Sequence, residues 1–274
     1  MFQHVSKPLV IIKGAGDLGS GVAYRLYKCG FNIVMTEIEY PLVVRRTVSF
    51  AEAVHDGKAT VEGITACLSL NTSQMSFIFE EGMIPVLIDM EGVSVKVLQA
   101  DVVVDARVAK RNLGTTRFEA PLVIGLGPGF EAGVDVHAVI ETCRGHSLGR
   151  VIYEGQAIPN TGEPGEVGGA SIGRLLRAPA DGVVESEKSI GDVVEKGEVV
   201  AHVDAEPVKA LISGRLRGMI RNKTKVVQGT KIGDIDPRLD VDWKTISDKA
   251  LAVGGGVLEA VFHYYDKNNS LTFK

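Results

Sequence analysis

A glycine-rich turn set between two different periodicities constrains this chain more than any other feature. Residues 8–13 form a short run rich in Val and Ile, Gly14-Ala15-Gly16-Asp17-Leu18-Gly19 follows at once, and Leu18, Val22, Leu26 and Cys29 then recur at helical spacing. The order is strand, turn, helix. Residues 32–38 read as a second strand, near enough for a right-handed parallel crossover, and Glu37 stands at its end. In a dinucleotide-binding turn the glycines serve distinct purposes, Gly14 allowing the tight bend, Gly16 the approach of the backbone to a pyrophosphate, and Gly19 close helix packing. The amides at the helix start, around Asp17 and Leu18, are offered to the anion, and Glu37 accepts from a ribose hydroxyl. Asp17 sets a like charge beside that anion, and the competing reading is the same fold without a nucleotide.

Alternating β and α patterns continue beyond this unit. Ser49 and Glu52 fit a capping box that opens a short helix stopped by Gly57. Further strands are expected at 61–67, 84–89, 101–106, 121–125, 134–140 and 148–153, with a helix over 70–81. This alternation predicts a doubly wound, Rossmann-like α/β domain over residues 1–155. Between 155 and 173 prolines and glycines accumulate without apolar period, which places a domain boundary there.

Beyond it, short Val-rich strands are separated by single glycines. Overlaying 177–204 on 209–236 at an offset of 32 aligns Ala178 with Ala210, Gly182 with Gly214, Val194 with Val226, Gly197 with Gly229 and Asp204 with Asp236. These are the turn glycines and strand ends that a duplicated β unit must keep. Two such units closing face to face predict a small all-β barrel-sandwich hybrid domain over 171–238. A helical tail over 239–274 follows, interrupted by the glycines at 254–256.

Other residues compete for a functional role. Arg45 and Arg46 follow Glu37 closely and suit a phosphate, or equally a solvated loop. Asp105, Arg107 and Lys110 follow an apolar run, where ligands of open α/β sheets bind, and Arg107 is the favoured ligand contact. A second turn, Gly125-Leu126-Gly127-Pro128-Gly129, offers an anion-binding concavity or a tight corner. His137, Cys143, Arg144 and His146 match no closed zinc pattern, so no metal site is expected, and His146 is the candidate acid, base or hydrogen-bonding group. Arg215, Arg217, Arg221, Lys223, Lys225 and Lys231 form a basic stretch that fits an acidic partner or a solvated face.

Composition narrows the classes. With 30 Lys and Arg against 34 Asp and Glu, the net charge of −4 gives no general polycation for nucleic acid. Three scattered cysteines make no disulfide framework, and a reducing compartment is expected. The opening apolar run is too short for a signal segment or a membrane span, so a cytoplasmic, soluble protein without membrane association is expected.

Several blocks carry a resemblance. IIKGAGDLGSGVAYRL, MTEIEYPLVVRRTVSFAEAV, GLGPGFEAGVDVHAVIETCRGHSLGRVI, IPNTGEPG, KIGDIDPR and SDKALAVGGGVLEA together resemble the YqeB-type family of selenium-dependent molybdenum hydroxylase maturation proteins, over essentially the whole chain. The resemblance implies an accessory role in maturing such a hydroxylase, which is the implied partner. Combined with the glycine turns, it suggests a bound NAD(P) or molybdopterin-type nucleotide; an NAD(P)-dependent oxidoreductase acting on a sulfur or selenium intermediate is the alternative. The second half is also similar to biotinyl and lipoyl carrier domains, but it reads Val203-Asp204-Ala205-Glu206-Pro207-Val208 where those carry a lysine, with Lys209 displaced into the next strand. Covalent biotin or lipoate is therefore not expected.

Overall fold

The computed structural model describes residues 8–160, 162, 169 and 172–267. Most of 161–171, within the expected linker, lies outside the described residues, as does the end of the expected tail. The chain divides into two compact units, one of residues 1–41, 50–160 and 246–274, the other of 42–49 and 161–245.

The first unit is built on a nine-stranded sheet. In chain order its elements are β1 (Leu9–Lys13), α1 (Asp17–Lys28), β2 (Asn32–Glu37), α2 (Ala53–Asp56), β3 (Lys58–Val61), β4 (Ile64–Leu68), α3 (Thr72–Glu80), β5 (Ile84–Ile88), α4 (Val93–Leu98), β6 (Val102–Asp105), β7 (Leu122–Leu126), β8 (Glu131–Ala132), β9 (Ala138–Ile140), β10 (Val151–Ile152), β11 (Gly155–Gln156) and, after the second unit, α5 (Asp248–Lys267). The strand order is β10-β9-β7-β6-β1-β2-β5-β4-β3, and β8 pairs with β11 in a separate two-stranded ribbon. The interior pairs are parallel, whereas β3 and β10 run antiparallel to their neighbours at the two edges. Val10, Ile11 and Ile12 of β1 have no exposed surface, as expected of a strand covered on both faces. Ile11 joins Val34, Val103, Val123 and Val139 of adjacent strands in one apolar cluster.

This architecture corrects the expected fold class. A doubly wound domain needs a helix on each parallel crossover, but β6 to β7 and β7 to β9 are joined without one, because residues 107–120 and 127–137 carry no helical apolar period. The sheet is mixed, helices are few, and the rest of the chain adds several antiparallel sheets; this is not a Rossmann-like domain joined to a barrel-sandwich. Two local expectations also change. The strand expected at 61–67 is the turn and second arm of the β3–β4 hairpin, which turns at Glu62 and Gly63 with φ of 44° and 80°. The Ser49 capping box does not form, since the Ser49 hydroxyl donates to the Arg45 carbonyl at 2.9 Å, and α2 is a single turn.

Helix α5 packs along α1 and against β7, β9 and β10, covering strands whose crossovers lack helices. Its glycines do not interrupt it. A Cβ on Gly254 would lie 2.8 Å from the Gly21 carbonyl oxygen, one on Gly21 would meet Ala250 at 2.7 Å, and one on Gly256 would collide with the Gly149 carbonyl oxygen. Small residues thus let two helix backbones and a loop approach closely, at a helix-propensity cost of roughly 1 kcal/mol per glycine.

The second unit holds β12 (Leu175–Arg177), β13 (Gly182–Ser186), β14 (Val193–Val194), β15 (Val199–Val203), β16 (Glu206–Lys209), β17 (Gly214–Met219), β18 (Lys225–Val226) and β19 (Lys231–Asp236). They form two four-stranded antiparallel sheets, β12-β19-β17-β14 and β16-β15-β13-β18. The offset of 32 pairs β12 with β16, β13 with β17, β14 with β18 and β15 with β19. Replacing each strand of one sheet by its mate gives the other sheet, in the same order. Gly182 opposes Val226 in one sheet and Gly214 opposes Val194 in the other, the same pairing repeated at the offset of 32. Each sheet therefore mixes both repeats, and Val184, Val194, Leu216, Ile232 and Ile235 share one core.

The α1–α5 contact makes a paired prediction. Gly21→Val is expected to destabilise the first unit by about 1–3 kcal/mol through overpacking. Gly255→Ala, whose Cβ meets nothing within 4 Å, is expected to stabilise it by roughly 0.5–1 kcal/mol. Urea unfolding followed by circular dichroism measures both.

Candidate functional site

The turn between β1 and α1 lies at the carboxyl edge of the large sheet. Gly14 adopts φ +95° and donates its amide to the Thr36 carbonyl at 2.8 Å, so the bend is anchored on β2. A Cβ on Gly19 would fall on the Gly14 carbonyl oxygen, which is the close helix packing expected of that position. Gly16 differs: it caps α1 in an extended conformation, with φ −65° and ψ −177°, and nothing lies within 4 Å of where its Cβ would be. Gly16 and Asp17 are half-exposed, whereas Leu18 is buried at 9% exposure against the core. Asp17 opens the helix, where a negative charge suits the dipole.

Glu37 turns back onto this loop. Its Oε1 accepts from the Ala15 amide at 3.0 Å and its Oε2 from the Ile38 amide at 2.8 Å. Burial pushes the Glu37 carboxyl above its ordinary value, and the two amides offset this only in part. The other side of Ala15 is fixed as well, its carbonyl accepting from the Ser20 hydroxyl and the Ala51 amide. The turn is thus rigid while its mouth at Gly16 stays open.

The same device recurs along the edge. Asp89, after β5, accepts the amides of Val93 at 3.0 Å and Ser94 at 2.7 Å. Burial alone would raise the Asp89 carboxyl, but hydrogen bonds from Ser94, Val93 and Gly92 together hold it below the usual value. Glu141, after β9, accepts from the amides of Cys143 and Ile158. Asp105, at the end of β6, takes the Arg107 guanidinium at 2.5 Å and the Thr115 hydroxyl at 2.8 Å. Lys13, at the end of β1, donates to Thr115 at 2.9 Å and pairs with Glu119 at 2.5 Å. A Cβ on Gly14 would lie 3.1 Å from the Arg107 backbone nitrogen, which puts this charged network beside the turn. Sequence reasoning singled out Glu37, Asp105 and Arg107 and missed Lys13, Asp89, Glu141, Thr115 and Glu119. The available signal was a charged residue closing an otherwise apolar strand, as in IIK, LID, VVVD and AVIE.

The second glycine turn leaves β7 at this same edge, with Gly125 in register with Asp105, and the other candidates make separate contacts. In the second glycine turn a Cβ on Gly125 would strike the Phe130 ring at 2.5 Å, one on Gly127 the Thr142 hydroxyl, and one on Gly129 the Arg111 backbone at 2.6 Å. Internal packing accounts for all three. His146 is exposed on the loop after β9, beside Arg144, which pairs with Asp248 of α5 at 2.8 Å. His137 accepts the Val123 amide at Nδ1, and burial lowers its basicity. Lys110 is exposed with φ +62°. Arg45 and Arg46 belong to the second unit, where they donate to the carbonyls of Thr245 and Met219. In that unit Arg217 is buried against Asp234 and Asp236 instead of forming an open basic face, and Arg215 lies 4.5 Å over the Trp243 ring. The β15–β16 hairpin turns at Asp204 and Ala205, with Lys209 at the far end of β16. Among the described residues no group of three or more His, Cys, Asp or Glu side chains is placed to hold a metal ion, and no helix is long and apolar enough to cross a membrane.

No family model matches the chain. It is 51% identical over 254 residues to the uncharacterized protein YqeB of Escherichia coli K12, a match covering 92% of this chain and 47% of that protein. The chain thus spans about half the length of this curated relative, and the identity supports the YqeB side of the resemblance read from the sequence. Among solved structures, an aspartoacylase family protein from Mesorhizobium loti aligns at 14% identity and TM-score 0.26, covering 84% of this chain and 85% of the other. The ectoine utilization protein EutE of Ruegeria pomeroyi aligns at 10% identity and TM-score 0.24, covering 84% and 85%. TM-scores this low do not establish a shared fold.

Two outcomes test the turn. Gly19→Ala is expected to cost about 2 kcal/mol or more, although alanine favours helices, because its methyl group has no room. Gly16→Ala, in open space, is expected to cost about 1 kcal/mol or less; urea midpoints compare them. Because the folded protein raises the Glu37 pKa, folding favours the protonated carboxyl. Wild-type stability relative to Glu37→Gln should therefore fall as the pH rises from 4.5 through the raised value, and then level off. Melting temperatures of the pair across that range read the sign.

Proposed function

We propose that this chain binds a nucleotide or another phosphate-bearing cofactor at the β1–α1 turn, and that it serves as an accessory protein in the maturation of a selenium-dependent molybdenum hydroxylase. The observation that carries the binding reading is Gly16. Gly14 is glycine because its φ is +95° and its surroundings are tight, and Gly19 because the fold leaves it no side-chain space, whereas Gly16 has an ordinary φ, half-exposed backbone and open surroundings. Glycine is a good N-cap, but no neighbouring atom requires it here, and a missing side chain in open space suits the approach of a ligand to the α1 amides, where an anion is favoured. Glu37 keeps acceptor capacity on both oxygens beyond the two amides it already binds, which suits a ligand hydroxyl. The Arg107 backbone nitrogen lies beside Gly14, and its guanidinium, one quarter exposed and paired with Asp105, is a charged group at the same sheet edge. The Asp89 amide donates to the Glu37 carbonyl, which ties the ends of β2 and β5 together, and Ile38, Tyr40, Ile88 and Met90 at these two ends are exposed.

The maturation role is drawn from the sequence blocks shared with the YqeB-type family. Its cofactor would be NAD(P) or a molybdopterin-type nucleotide, and its partner the hydroxylase.

Calorimetric titration of the full chain with NAD, NADP and a pterin nucleotide tests the binding. One of them is expected to bind saturably, with Gly16→Val weakening it at least tenfold while the melting temperature changes little. Failure of all three to bind, or equal binding by Gly16→Val, would overturn the reading. Consumption of NAD(P)H with a sulfur or selenium acceptor would assign an oxidoreductase instead of a binding accessory.

A further inference from the structure

A concavity lies wholly within the second unit. It is a cleft of about 360 Å³, lined by Arg46, Ser186, Glu187, Lys188, Arg221 and Asn222 among others. That volume is in the range of small-ligand sites, but the lining is polar where such sites are usually apolar. Three cationic residues and one acidic residue line it, and Glu187 is itself engaged by the His202 ring at 2.9 Å. The Lys188 amine is paired with Glu198 at 2.5 Å, so the two arginines carry most of the remaining positive charge of the lining.

The position follows from the duplication. Adding 32 to Ser186, Ser189 and Ile190 gives Gly218, Arg221 and Asn222, so the cleft lies between a turn of one repeat and the corresponding turn of the other. The two turns are not equivalent. A Cβ on Gly218 would lie 2.8 Å from the Val44 carbonyl oxygen, so the second repeat has glycine where the 42–49 segment passes. That segment brings in Arg46, whose Nε donates to the Met219 carbonyl at 2.8 Å. The walls are also tied together: the Ser186 amide donates to Asn222 Oδ1 at 2.8 Å, the Ser186 hydroxyl to the Lys188 carbonyl at 2.6 Å, and the Lys223 amide to the Val184 carbonyl at 2.8 Å. Guanidinium groups in a prearranged polar recess match the geometry of phosphate and carboxylate oxygens.

We propose that this cleft is a binding site for a small dianion, recognised through a phosphate or carboxylate group by Arg46, Arg221 and Lys188. The site is independent of the β1–α1 turn. The test uses the full chain, with backbone amide resonances followed by NMR during titration with inorganic phosphate. Saturable shifts confined to 186–190 and 221–223 are expected, with the dissociation constant rising at least tenfold in Arg221→Gln and partly restored in Arg221→Lys. Lys196→Gln, which removes an equal charge from an exposed position outside the cleft, should leave it unchanged. If Arg221→Gln fails to fold, Lys188→Gln is expected to show the same weakening. Absence of saturable shifts at these amides, shifts only at residues 14–17, or equal weakening in Lys196→Gln and Arg221→Gln would overturn the proposal. Succinate in place of phosphate then separates a carboxylate preference from a phosphate preference.

Discussion

Carboxylates at the ends of parallel strands hold the loops of the first unit. Glu37, Asp89 and Glu141 each accept two main-chain amides from the segment that follows or a neighbouring one, and Asp105 binds the side chains of Arg107 and Thr115. Amides at the edge of a sheet must find acceptors, and a carboxylate offers more lone pairs than one loop carbonyl. The protein thus supplies much of the negative charge that its own loop amides attract. The mouth at Gly16 stands apart because Glu37 reaches Ala15 and stops there.

The second unit solves a different problem, the burial of strands too short to stand alone. Interleaving the two repeats gives every strand a partner from the other copy, so neither copy has a core of its own. The repeat also leaves two like turns facing one another, and the intrusion of residues 42–49 on one side makes the recess between them unequal. Charge collects where the symmetry is broken.

Local pattern makes a good part of this legible in the sequence. The strand, turn and helix at 8–28 can be read because periodicity changes within a few residues, and the duplication can be read because turn glycines cannot be replaced freely. The β3–β4 hairpin was hidden by a turn of only Glu62 and Gly63. The layers covering the sheet were not legible, since α5 reaches β7, β9 and β10 from roughly a hundred residues away or more. Its glycines read as a break because the partners that require them, Gly21 and Gly149, are distant in sequence. For the same reason, spacing from Glu37 could not tell that Arg45 and Arg46 make their contacts with Thr245 and Met219.

The place of α5 has a consequence for how the molecule is made. This helix lies against α1, yet the ribosome must produce the whole second unit before supplying it. Until then, the surfaces of α1 and of β7, β9 and β10 that α5 covers are bare and open to other chains. A growing polypeptide of this design has to be sheltered, or to wait, while its middle is completed.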